Sequence, residues 1–135
     1  MTAADPNRLV AEELARAEQA VQAAANLLAG NLLADAISRA YYGAFHFVQA
    51  LLQSRGIETR THLGAIHLFG REFVNTGKLK ATYTRLLASL QRQRELADYN
   101  AAVSFDPEDV RDHLDQVRGF GKDARELLRS EGHQV

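Results

Sequence analysis

A chain of 135 residues that is 46% hydrophobic and 24% charged has the composition of a globular protein, with enough apolar residues for a core of its own. It has no cysteine, which excludes a disulfide scaffold and thiolate metal sites and is compatible with a cytoplasmic location. A formal net charge of −1 argues against a generic nucleic-acid coat or a membrane-surface binder. Thirteen of the sixteen cations are arginine, however, the better bidentate partner for phosphate. The first residues lack the basic and apolar segments of a signal peptide, and no window of about 18 uncharged apolar residues exists, so no membrane span is expected.

Asp5-Pro6 is a helix start, with Asp as N-cap and Pro at the first helical position. Val10, Leu14, Ala17, Val21, Ala24 and Leu28 then recur at spacings of three and four, which predicts a first helix over 6–29 with Gly30 as its C-cap. A second helix runs from about Asn31 to Gly56. Leu33, Ile37, Ala40/Tyr41, Ala44, Val48 and Leu51/Leu52 form one apolar face, and Phe45, Phe47 and Ala50 widen it. So little wholly polar surface remains that this helix belongs at the centre of a bundle. The short connection before it makes the first two helices antiparallel neighbours.

Residues 57–61 read as a linker, with Thr59 or Thr61 as the next N-cap. A shorter third helix carries Leu63, Ile66, Phe69/Gly70 and Phe73/Val74 and stops at Asn75-Thr76-Gly77. The fourth begins near Leu79 and presents Tyr83, Leu86/Leu87 and Leu90. Continued by one turn, that stripe reaches Arg94 and then Ala97, so an arginine occupies the buried seam. Asp106-Pro107-Glu108-Asp109 starts a fifth helix, which runs to about Ser130 with acids in its first turn. Gly119 and Gly121 each cost it roughly 1 kcal/mol relative to Ala, which points to a kink or a close helix contact. The tail 131–135 is expected to fray. The pattern gives one all-α domain over 1–135, an up-down bundle of four to five antiparallel helices.

Three constellations carry chemistry. Arg39, Tyr42 and His46 share a strip of the second helix at i, i+3 and i+7. They are either satisfied core residues, with Arg39 paired to a carboxylate, or the wall of a polar site. Arg92, Arg94, Asp98 and Tyr99 lie in Gln91-Arg-Gln-Arg-Glu-Leu-Ala-Asp-Tyr-Asn100. Arg94 and Asp98 at i, i+4 can form a salt bridge, and a guanidinium fixed in that way can bind phosphate bidentately. The same pair can equally be a structural bridge that satisfies a seam arginine. The five histidines lack metal-ligand spacing: His62 and His67 are five apart, and no His-Glu-x-x-His occurs, so neither a metal site nor a cofactor is expected.

Ser38-Arg-Ala-Tyr-Tyr-Gly-Ala-Phe-His46, then Thr61-His-Leu-Gly64, Phe73-Val74 with Gly77, and Arg94-x-x-Ala-Asp-Tyr99 resemble the HEPN (higher eukaryotes and prokaryotes nucleotide-binding) superfamily, in its branch of small stand-alone prokaryotic proteins. The resemblance spans nearly the whole chain. It implies a helical bundle that forms a homodimer and binds nucleotide or RNA, as a toxin–antitoxin component or the partner of a small nucleotidyltransferase. Many such proteins are metal-independent endoribonucleases, in which an Arg followed after four to six residues by His, on the helix matching the fourth one here, promotes attack of the ribose 2′-OH on the adjacent phosphate.

By that resemblance Arg94 and Asp98 are the catalytic candidates. Arg39, Tyr42, His46, Arg92 and Tyr99 are the nucleotide- or RNA-binding candidates, and Tyr99 also matches a tyrosine that is nucleotidylated in some relatives. The chain departs from the pattern where the histidine is expected. Asp98-Tyr99 stands there instead, and an aspartate is a poor proton donor at neutral pH. Arg39/His46, Arg55/His62 and Arg60/His67 each fit "Arg, six residues, His", but chance alone supplies roughly 1.4 such matches. Two alternatives therefore stand beside the binding protein. One is an endoribonuclease that pairs Arg94 with Asp98 or His46; the other is a non-catalytic helical dimerisation module.

Overall fold

The computed structural model describes residues 5–135, and they form an all-α up-down bundle. Five α-helices follow in chain order: α1 (Pro6–Ala29), α2 (Leu33–Ser54), α3 (His62–Phe69), α4 (Thr82–Tyr99) and α5 (Pro107–Ser130). A π-helical turn, Gly70–Val74, extends α3. Among the described residues there is no strand. Among the described residues no helix is long and apolar enough to cross a membrane.

The cap residues act as their chemistry requires. Asp5, Thr61 and Asp106 accept from the backbone N–H of Asn7, Gly64 and Glu108 at 3.0, 2.9 and 2.8 Å, satisfying donors that a helix start leaves free. Thr61, not Thr59, is thus the third N-cap. At the end of α1, Gly30 keeps a negative φ and Asn31 takes the left-handed conformation, with φ of 60°. Asn31 N–H then donates to Leu28 O and Leu32 N–H to Leu27 O, closing the helix in a Schellman pattern. Gly56 and Gly77 do adopt positive φ, at 70° and 78°, where a side chain would be strained.

The centre of the bundle is α2, which touches every other helix. Ile37, Tyr41, Ala44, Val48, Leu51 and Leu52 are fully buried. Packing against α5 is close: a Cβ on Gly121 would fall 2.4 Å from Phe47 Cζ, so only glycine lets the helices approach this far. The expected close contact is therefore at Gly121, whereas Gly119 faces open space. Phe120, Phe69 and Tyr83 complete this layer, with ring centroids 5.4 Å (Phe69–Phe120) and 4.8 Å (Tyr83–Phe120) apart.

Three expectations are corrected. Helix α4 starts at Thr82, three residues later than the apolar pattern suggests, because Leu79 is buried from the loop and not from the helix. The π turn widens the backbone at the end of α3, a feature without a propensity signal. The tail does not fray: Glu131 binds Arg55 at 3.1 Å, His133 Nδ1 lies 2.9 Å from Asn7 Oδ1, and Arg129 Nε donates to Val135 O at 2.6 Å.

Candidate functional site

Arg94 reaches the seam because Tyr83, Leu86, Leu87 and Leu90 commit one face of α4 to the core, and Arg94 follows one turn later on that face. Its guanidinium lies over aromatic rings of α2, with Cζ 4.8 Å from the Tyr41 centroid and 5.5 Å from that of Tyr42. Nη1 donates to Tyr42 Oη at 3.2 Å. Nε is buried and has no hydrogen-bond partner. Among the described residues no carboxylate lies within the 4.0 Å of an ion pair with Arg94. The anticipated Arg94–Asp98 bridge is not formed: Arg94 turns inward onto the tyrosines, while Asp98 stays exposed.

The α2 strip assembles as its spacing suggests. Arg39, Tyr42 and His46 line a cleft of about 450 Å³ between α1 and α2, opposite Arg16, Gln19, Ala20 and Ala23. Arg39 is exposed and, among the described residues, makes no carboxylate pair; its Cζ sits 5.5 Å from the Tyr42 centroid. His46 Nδ1 is 2.7 Å from Glu13 Oε2 on α1, so this imidazole is held by a carboxylate rather than presented to Arg94. Tyr42 belongs to both groups, bonded to Arg94 on one side and lining the α1–α2 cleft on the other. Arg92 is exposed, and Tyr99, 87% accessible, stands at the end of α4 without a contact to the cluster.

Two residues that the sequence reading did not assign to the site complete the arrangement. His62, the first residue of α3, packs its ring 4.2 Å from Phe45, and its Nδ1 is 3.2 Å from Tyr41 Oη. Burial, then the positive charge of Arg94, then His46 lower the pKa of His62 below its ordinary value, so its neutral form dominates at pH 7. Burial pushes the Tyr41 phenol up, with Arg94 acting in the opposite direction. Tyr41 is therefore a neutral hydrogen-bonding group beneath the arginine. Nothing in the spacing flagged this pair: Tyr41 read as core, and His62 is 32 residues before Arg94 in another helix. The hints were that both residues fall in the motifs Ser38-Arg-Ala-Tyr-Tyr and Thr61-His-Leu-Gly64, and that Thr61 as N-cap fixes where α3 begins.

The arrangement can attract and hold an anion. It combines a guanidinium without a counterion, a second arginine on the adjoining cleft, phenolic hydroxyls and a neutral imidazole. Among the described residues no three His, Asp or Glu side chains cluster so as to hold a metal ion.

Comparison with known proteins agrees in extent with the fold. A family model described as "HEPN domain" matches residues 10–127. The chain is similar to a UPF0332 protein of Thermotoga maritima, 34% identical over 105 residues that make up 78% of this chain and 80% of that one. A UPF0332 protein of Gloeobacter violaceus is 36% identical over 115 residues, 84% of this chain and 90% of its own. A Methanocaldococcus jannaschii protein that carries the name "Putative toxin" is 39% identical over 83 residues, 62% of each chain.

Proposed function

The chain belongs to the HEPN domain family, and on that premise we propose that it is a toxin-like HEPN protein whose single domain binds the phosphate of RNA or of a nucleotide at Arg94. One observation carries this reading: a partly buried guanidinium, with Nε unpartnered and no carboxylate in reach, held on Tyr41 and Tyr42. A structural arginine on a seam needs a carboxylate, because burying an unpaired charge is costly. An arginine left without one suits an anion that arrives from outside. Arg39 in the adjoining cleft supplies a second cation, and Tyr42 links the two.

The relatives named as toxins favour a partner that restrains the protein, an antitoxin or a small nucleotidyltransferase, with exposed Tyr99 as the residue such an enzyme would modify. A homodimer fits the exposed apolar side chains. Leu96 and Tyr99 follow Arg94 on α4, and Leu63 adjoins His62, so three of the four large ones flank the cluster in sequence.

Titration of nucleotides and short RNA against the wild type and Arg94→Ala tests the assignment. Binding should fall at least about tenfold in the variant, the scale of one charge-assisted contact. Unchanged binding in both Arg94→Ala and Arg39→Ala would remove the site.

His62 supports a second reading, a metal-independent endoribonuclease. With Nδ1–H donating to Tyr41 Oη, the neutral Nε2 can take the proton of a ribose 2′-OH as it attacks the adjacent phosphate, while Arg94 stabilises the developing charge. Neither Asp98, exposed and apart from Arg94, nor His46, engaged by Glu13, is as well placed. Incubation with structured RNA should then give cleavage that both Arg94→Ala and His62→Gln abolish. No cleavage above those backgrounds would leave the binding function alone.

A further inference from the structure

A second cleft, of about 400 Å³, lies on another flank of α1, where α1 meets the C-terminal half of α5. Four cations line it from one helix: Arg118, Lys122, Arg125 and Arg129. Their spacing of i, i+4, i+7 and i+11 sets them in a single row about 16 Å long at the rise of an α-helix. Glu18 is the only carboxylate in the lining, so the walls carry three positive charges in excess in a protein whose formal net charge is −1.

The row is not a by-product of composition. The same stretch of α5 holds Asp123 and Glu126, and both line a different cleft beside Lys78 and Lys80, with Asp123 3.9 Å from Lys80. Between Arg118 and Arg129 the acids and bases of α5 thus line different clefts. The helix macrodipole favours a cation in the last turn, which covers Arg129, but its influence fades within that turn and does not reach Arg118 or Lys122. Internal pairing uses three of the four: Arg125 meets Glu18 at 3.0 Å, Arg118 meets Asp115 at 3.5 Å, and Arg129 Nε donates to Val135 O at 2.6 Å. Lys122 has no carboxylate within 4.0 Å among the described residues.

We infer that this α1–α5 cleft is a second anion site, which binds the phosphate backbone of a single-stranded RNA away from the Arg94 cluster. A row of cations with arginine in the majority matches a ligand whose charges repeat along a line. The floor favours a charged ligand over a protein partner. Val21, Phe47 and Gly121 are buried beneath the cations, so the cleft presents no large exposed apolar side chain to anchor a protein–protein interface. Contacts of this kind read charge and not base sequence, so the cleft would add affinity without specificity. The inference takes RNA as ligand from the functional reading above, but rests on different residues.

Fluorescence anisotropy of a labelled single-stranded RNA, measured with the full chain over a range of salt, separates the two. The charge reversal Arg118→Glu with Lys122→Glu should weaken binding on the order of tenfold, and flatten the slope of log affinity against log salt by about 1.4 for two lost phosphate contacts. The same variant should bind a mononucleotide as the wild type does, whereas Arg94→Ala should lose the mononucleotide. Arg118→Ala with Lys122→Ala, which adds no repulsion, should move RNA affinity and slope in the same direction. Both side chains are exposed, so circular dichroism is expected to show an intact bundle. RNA affinity and salt slope unchanged in both double variants would overturn the cleft and leave the Arg94 assignment standing. Reduced RNA binding in them, with none in Arg94→Ala, would do the reverse. A wild type that binds no RNA overturns the inference outright.

Discussion

Helix α2 meets α5 and α4 in two very different ways. Against α5 the contact is dry and without slack: Phe47 fills the space a Gly121 side chain would need, and packs edge-on to Phe120 at 5.9 Å. Against α4 the contact is aromatic and polar, and contains an unsatisfied atom, Arg94 Nε. Two apolar surfaces that fit gain from every contact they exclude from water. A guanidinium at a seam costs free energy unless something pairs with it. The first interface needs nothing more for folding, whereas the second leaves a buried donor unpaired, which the proposed anion would satisfy.

That contrast can be broken at its tight end first. Gly121→Val should destabilise the protein by about 2–3 kcal/mol, since overpacking outweighs the roughly 0.3–0.5 kcal/mol gained from helix propensity. A lower urea midpoint at constant m-value is the readout. Phe47→Leu in the same chain should recover part of the loss, and no recovery would mean that the ring is not what the new side chain meets.

At the α4 end the sign is opposite. Arg94→Leu should leave stability unchanged or raise it by up to about 1 kcal/mol, because an unpaired partly buried charge is replaced by an apolar group. A fall of several kcal/mol would instead make Arg94 a structural residue. Tyr42→Phe removes the acceptor of the Arg94 Nη1 bond and should cost about 1 kcal/mol in anion binding, with little effect on folding.

The smallest expected effect is a pH slope. The folded pKa of His62 lies below the ordinary 6.5 of a histidine, so the unfolded chain binds more protons over that interval. Its contribution to stability is complete above about pH 6.5 and is lost as pH falls through the lowered folded value. His62→Gln should remove this part of the slope. Arg94→Ala should move the His62 titration upward in an NMR experiment, by withdrawing a nearby positive charge; an unmoved titration would separate the two side chains.

Most of the fold was legible in the chain itself. Asp5-Pro6 and Asp106-Pro107 start helices where Ncap chemistry says they should, and the boundaries of α1 and α5 follow directly. Departures occur where tertiary contact overrides local preference, as with the buried loop residue Leu79 and the tail held by Arg55. The site was half legible. Arg94 stood out because it interrupts an apolar stripe, and the Arg39/Tyr42/His46 strip because three polar groups recur on a core helix. The i, i+4 spacing of Arg94 and Asp98 allowed a bridge that does not form, since Tyr41 and Tyr42 offer the guanidinium a competing surface.

By itself, then, the sequence determined which segments are helical, which faces are buried and that an arginine must come to rest against the core, because periodicity and capping act over a few residues. Only the tertiary structure decided what that arginine meets. Its contacts with Tyr42 and with the Tyr41–His62 pair join residues tens of positions apart. Such meetings depend on how three helices cross, and spacing along any one of them carries no record of that.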